Sequence, residues 1–275
     1  MMNLRLVTAT LVSLVIFSCS KDPVQAPVPK VCQTEKYFQG QNTGKDTVLT
    51  LGYNSQGLVS RISRQWQAGG NRDSFLMTYN TDKLVAELKQ AAASETIAKY
   101  EYSGNKLVKM KLTKPTIVGD SIVYTYQYNG GDKPSRKNTH VYSGGTGGLV
   151  GYVEYEYDPY RNISVIRNFG GDPGSFATAN FTYRGTENSF KYVAHAADAF
   201  NILNATASMY KDVVWNDFNL DKAVFRNLNG DIVREVRMHY EFDTDGNVTT
   251  LRAKGSQPGS TDTAVYTYRV DLLCK

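Results

Sequence analysis

An all-β fold, a long twisted antiparallel meander of hairpin repeats that rolls toward a barrel, is predicted by three observations. In Ile122-Val-Tyr-Thr-Tyr-Gln-Tyr-Asn129 the residues Ile122, Tyr124, Tyr126 and Tyr128 alternate with Val123, Thr125 and Gln127, which is the period of a strand with one covered face. The same phrase of strand, aromatic, Asn or Asp and glycine-containing turn recurs: its anchors are Tyr53, Tyr79, Tyr102, Tyr128, Tyr157, Tyr183 and Phe242, mostly 26 residues apart. Fixed-period self-similarity points to a repeat architecture. Tyrosine contributes 19 residues while Leu-rich helical stripes are scarce, a composition that favours strands.

The chain begins with a different pattern. Arg5 precedes an apolar run from Leu6 to Phe17, long enough for a signal-peptide core and too short for the roughly 20 residues that span a bilayer. The run ends Ile16-Phe17-Ser18-Cys19. This resembles the lipobox of bacterial lipoproteins, and the resemblance implies cleavage before Cys19, which becomes the lipidated N-terminus. The alternative is an ordinary cysteine after an ordinary signal peptide. Ser20 to Lys30 carries three prolines and reads as an extended tether that lifts a domain off the membrane. Ser20, Lys21 and Asp22 resemble the polar export tag of surface lipoproteins of Bacteroidetes, which implies outward display from the outer membrane, with the periplasmic side as the alternative.

Residues 32–275 read as one β domain that starts on Cys32 and carries Cys274 one residue before its end. Beyond the inner membrane disulfides persist, so a Cys32–Cys274 bond joining the two ends is expected; the alternative is two unpaired thiols. Within each repeat the anchor follows large apolar residues at minus two and minus four, such as Phe75 and Met77 before Tyr79, and Val153 and Tyr155 before Tyr157. The opposite parity carries Glu154 and Glu156, or His239 and Glu241, so one face is covered and the other wet. Asn, Asp and Gly after each anchor supply the turn conformations that hairpins need. Longer connections at 67–73, 115–120, 143–148, 170–174 and 255–261 fall along the other edge, where a binding surface would be sited.

A gap of 59 residues between Tyr183 and Phe242 breaks the rhythm. It holds an alanine-rich stretch near 190–212, expected to form a short irregular or helical insert that covers an open end or edge of the sheet. The Tyr-Asn/Asp-x-x-Gly-x-Leu/Val spacing is similar to the YD-type repeats of Rhs proteins. With the lipobox and tether, the whole mature chain looks like uncharacterised Bacteroidetes lipoproteins with domains of unknown function, a resemblance that carries fold and address but no activity.

Chemistry-bearing patterns are few. His140, His195 and His239 show no ligand spacing, no phosphate-cradling glycine loop or nucleophile elbow occurs, and no metal or cofactor is expected. Asp243-Thr-Asp-Gly-Asn247 starts like a calcium loop but lacks the later Glu, so a hairpin turn is expected. Glu154 and Glu156 share a strand face without a cleft to shift a pKa, and no enzyme is expected. The formal charge of +5 falls to +4 once Arg5 leaves with the leader; Lys106, Lys109, Lys111 and Lys114 then read as a solvated face, and no nucleic-acid partner is expected. Trp66 and Trp215 lie outside the tyrosine register and are the candidate ligand-binding residues: together on a surface they would stack on sugars, while buried they would be core plugs. The leading expectation is a monomeric, non-catalytic, lipid-anchored envelope protein with a binding or structural role; the alternative is a glycan-binding accessory of polysaccharide uptake.

Overall fold

The structure, a computed structural model, describes residues 32–41, 47–66, 72–113, 120–170, 177–187, 218–256 and 264–274; at 32–41, 47–49, 66, 72, 186–187 and 264–274 the description is of the backbone. The described residues form sixteen strands: β1 (Cys32–Gln41), β2 (Thr47–Tyr53), β3 (Val59–Trp66), β4 (Arg72–Tyr79), β5 (Val85–Gln90), β6 (Glu95–Ser103), β7 (Lys106–Thr113) and β8 (Ser121–Gln127), followed by β9 (Arg136–Ser143), β10 (Thr146–Tyr157), β11 (Ile163–Phe169), β12 (Thr178–Glu187), β13 (Phe218–Arg226), β14 (Ile232–Phe242), β15 (Val248–Ser256) and β16 (Ala264–Cys274). Each pairs antiparallel with its sequence neighbours, and β1 pairs with both β2 and β16, so the meander closes into a barrel. Closure leaves every described strand with two neighbours and removes the exposed edge. The expected insert near 190–212 lies outside the described residues, as do the leader, Cys19 and the tether.

Strand parity separates two chemistries. Inward positions carry Ile62, Leu88, Met110 and Val236, each 0% exposed. They belong to two packed clusters: one runs from Leu51 on β2 to Leu112 on β7 and includes Val248, and the other runs from Tyr155 on β10 to Ala253 on β15. Tyr240 packs against both. Water therefore does not reach the inner wall at these positions, and their burial supplies the main favourable term for the fold. Bulk is matched across strands: Phe225 stands opposite Ala179, and Phe181 opposite Ala223.

The anchor tyrosines turn out to be locks between hairpins. Tyr79 donates its hydroxyl to the Val59 carbonyl, Tyr102 to Val85, Tyr128 to Leu107, Tyr157 to Pro134, Tyr183 to Ile163 and Tyr240 to Leu220, over 2.5–3.0 Å. One rule covers all six. In the pair β3–β4 the last couple is Arg61↔Leu76; the acceptor lies two residues before Arg61 and the tyrosine three after Leu76. The same offsets hold beyond Glu87↔Lys99, Lys109↔Thr125, Arg136↔Glu154, Val165↔Asn180 and Lys222↔Arg237. Where the ladder stops and the strands begin to part, a phenol takes over the orphaned carbonyl, which a buried backbone group requires.

Phe242 departs from the sequence expectation that it is an inward anchor. It is 39% exposed and stacks on Tyr240, with ring centroids 6.2 Å apart. Phenylalanine has no hydroxyl to donate, and β14 runs two residues beyond the lock, so Tyr240 takes that role.

The turns follow their predicted chemistry. The Asn80 side-chain oxygen accepts the amides of Asp82 and Leu84 at 3.1 and 2.9 Å, and Asn54 does the same for Gln56 and Leu58. The Asp243 carboxylate accepts from Asp245 and Asn247 at 3.0 and 2.8 Å, so Asp243–Asn247 is a turn that caps its own amides. Asn227 builds the same turn to Asp231, but at the opposite end of the barrel. The expected loop 143–148 shrinks to Gly144-Gly145, whose φ values of 59° and 80° suit a two-residue hairpin turn. Thr146 to Gly148 extend β10 instead.

Candidate functional site

The barrel has two unlike ends. The tyrosine locks, the short Asn or Asp turns other than Asn227–Asp231, and both termini of the ring, Cys32 and Cys274, lie at one, here the lock end. The connections after β1, β3, β5, β7, β9, β11, β13 and β15 lie at the other, the loop end. This confirms the sequence reading that the longer connections share an edge.

The outer wall is charged and laced across strands. Lys99 pairs with Glu87 at 3.4 Å, Lys109 with Glu101 at 2.9 Å, Lys222 with Glu235 at 2.9 Å and Arg252 with Glu241 at 2.7 Å. Hydrogen bonds from Lys222 and then Arg237 hold the Glu235 carboxyl below the usual carboxylate range. Exposed pairs of this kind contribute about 0–1 kcal/mol each; their significance is that this face is made for water. Lys109, one of the clustered lysines, belongs to this pattern. Glu156 is paired with Arg167, and Glu154 lies 3.9 Å from Arg136, so the two carboxylates face arginines on an open wall.

Cations break the apolar inner wall, among them Arg64 and Lys137. Arg64, on the parity of Ile62, pairs with Asp73 at 2.6 Å near the loop end and lies over the Phe75 ring at 5.7 Å. Lys137, 8% exposed, points its ammonium at the Tyr124 ring, 5.3 Å from the centroid. Its aliphatic stem suits the apolar surroundings while the ring face meets the charge.

Toward the loop end the outer wall also carries an aromatic stack. Tyr152 and Phe169 are directly opposed on β10 and β11, with centroids 4.7 Å apart and planes at 18°. The Arg136 guanidinium lies 3.5 Å from the Tyr152 centroid. Leu149, Val150 and Phe169 are exposed here, and Leu228, Ile232 and Val233 are exposed farther round the same rim. Scattered exposed hydrophobics are ordinary, and Tyr160 and Phe242 are exposed at the lock end as well. Sequence reading missed Tyr152 and Phe169. The available signal was that Tyr152 occupies the parity of Glu154 and Glu156, where an inward tyrosine does not belong.

The sequence-predicted residues are only partly brought together. Backbone register places Cys32 directly opposite Cys274. Trp66 is the last residue of β3, opposite Thr47 and thus at the loop end; Trp215 lies outside the described residues, as does His195. His140 and His239 stand on different, distant strands, β9 and β14. Among the described residues no three His, Cys, Asp or Glu side chains gather at one point. No described helix is long and apolar enough to cross a membrane, which leaves membrane-crossing strands unaddressed.

Comparison with known proteins informs the fold alone. No family model and no curated protein matches the chain. A porin-like protein from Bacteroides uniformis aligns at a TM-score of 0.59 and 13% identity, over 87% of this chain and 98% of that one. A second porin-like protein, from Bacteroides vulgatus, aligns at 0.55 and 11%, over 88% and 98%. The YD-type resemblance is left unconfirmed: a Photorhabdus luminescens Tc holotoxin structure covers 80% of this chain and 12% of that one at a TM-score of only 0.29. By these likenesses the chain shares the all-β antiparallel architecture of the Bacteroides porin-like proteins.

Proposed function

We propose that this chain is a non-catalytic, lipid-anchored protein of the cell envelope, held at the outer membrane through Cys19 and binding its partner through the loop end. The observation that carries the reading is the distribution of polarity across the wall. A barrel that crosses a bilayer shows an apolar band outward and a polar lumen. Here the outward face bears ion pairs and the inward face buried Ile, Leu, Met and Phe. The term porin-like belongs to the structural neighbours; the buried apolar inner wall of this chain speaks against an aqueous channel. A barrel with a wet exterior needs a separate attachment to stay at a membrane, and Cys19 with its proline-bearing tether supplies one. β1 begins at the lock end, so the tethered end of the domain is opposite the loop end.

The Cys19→Ser chain is expected to leave the membrane fraction in an alkaline carbonate wash, whereas the wild-type chain needs detergent. A Cys19→Ser chain that has lost residues 1–18, as its mass would show, and still demands detergent would mean that the barrel itself is embedded, and would defeat the proposal.

The Tyr152–Phe169 stack favours a glycan as the ligand. Aromatic faces pack against the C–H faces of sugar rings, and Arg136 and Glu154 beside the stack offer a donor and an acceptor. On a glycan array the full-length chain is expected to bind a restricted set of saccharides. Tyr152→Ala and Phe169→Ala locate the site by losing at least tenfold in affinity, against an unchanged Tyr160→Ala control. An array on which wild type binds nothing removes this reading and leaves protein recognition.

A further inference from the structure

We infer that a disulfide between Cys32 and Cys274 is the covalent fastening of the barrel seam, beside the hairpin in which leucine takes the place of the locking tyrosine. Two independent observations lead there. First, β1 and β16 are the strands whose pairing closes the ring, and Cys32↔Cys274 is the terminal couple of their ladder. Directly opposed residues of an antiparallel pair have Cα atoms about 4.5–5.5 Å apart, inside the roughly 4.4–6.8 Å that a disulfide spans. Second, the lock rule fails in the last hairpin. The final couple of β15–β16 is Thr250↔Arg269, and the position three residues beyond Arg269 is Leu272. Six other hairpins place a donating hydroxyl at that offset; leucine has none. Leu272 therefore supplies no such bond at the seam hairpin, at the same end of the barrel where the two cysteines meet in register.

The seam is also the costliest junction to form. Every other strand pair joins neighbours in sequence, while this one joins the two ends of the domain, and closing a long loop has the largest entropic cost. If β1 and β16 part, two full-length strand edges are exposed to other chains. A bond at the terminal couple stops the ladder from opening at that end.

Formation is an exchange with a protein disulfide of the envelope, the compartment assigned above and the premise on which this inference rests. The thiolate of one cysteine attacks a sulfur of the oxidant's disulfide, giving a mixed disulfide and a released thiolate. The second cysteine, deprotonated, attacks the first at its own sulfur and expels the oxidant as its dithiol. The domain loses two protons and two electrons, and both are carried away by the reduced oxidant.

The test is made on the full-length chain isolated from its native envelope, denatured and alkylated before and after reduction, then digested with trypsin. Before reduction, peptides Val31–Lys36 and Val270–Lys275 are expected as one linked species; after reduction each is expected singly and alkylated. Reduction is further expected to speed proteolysis of the folded protein several-fold, and Cys274→Ser to reproduce that speed without reductant. Two alkylated cysteines in the unreduced native chain, or linkage of either to another molecule, overturn the inference. In that event, treating the purified reduced protein with oxidised glutathione separates the causes. A bond that forms readily in the tube faults the envelope assignment, and one that fails to form faults the pairing.

Discussion

Phe225→Ala is expected to destabilise the barrel by about 3–5 kcal/mol, the range for removing a buried ring and leaving a cavity. Phe225 is 2% exposed and meets Phe181 edge-on, with centroids 6.2 Å apart and planes at 89°. Its cross-strand partner, Ala179, is itself 0% exposed and too small to fill the gap. Phe181, against Ala223, sits in the mirror arrangement, so the two rings and two methyls form one interlocked layer on β12 and β13. The measurement is urea unfolding followed by circular dichroism, with the midpoint falling at an unchanged slope. A loss below about 1 kcal/mol would mean that the inner wall is loosely packed and could collapse around the missing ring.

Raising the pH is expected to unfold the barrel between about 10 and 12, earlier than a β protein without buried phenols. Burial pushes Tyr79 up to about 12 and raises Tyr102, Tyr128 and Tyr240 as well. An unfolded tyrosine releases its proton near 10. Below that pH both states hold the proton, and the locks contribute in full. Above it the unfolded chain loses protons that the folded chain retains, so the unfolded state gains ground with each further rise. Tyrosinate absorbance near 295 nm and far-ultraviolet dichroism, recorded on one titration, should show a late absorbance step that coincides with loss of sheet. If all 19 tyrosines titrate near 10 while the sheet persists, the hydroxyls are open to water and the lock description is wrong.

The locks also show where sequence reasoning reached and where it stopped. Alternation in Phe75, Met77 and Tyr79 identified the inward face, and Asn80 after Tyr79 identified the turn, because both are local consequences of a two-residue period and a side chain that caps its own loop. What Tyr79 does with its hydroxyl depends on Val59, twenty residues away, and the offset emerges only once the register of β3 and β4 is known. Phe242 illustrates the difference: counted from its turn it is the repeat's anchor, while counted from the end of the β13–β14 ladder the anchor is Tyr240. The Tyr152–Phe169 stack was hidden for the same reason, since its members are seventeen residues apart and meet through cross-strand pairing.

By itself, then, the amino-acid sequence determined the hairpin repeat, the wet and covered faces and the self-capping turns, all of which are set by interactions within a few residues. Tertiary structure alone decided that the meander closes, that Cys32 meets Cys274 in register, and that charge lies outward and apolar bulk inward around a full ring. Closure joins strands at opposite ends of the domain, and no local preference records whether the accumulated twist and register of the strands between them will bring those ends together.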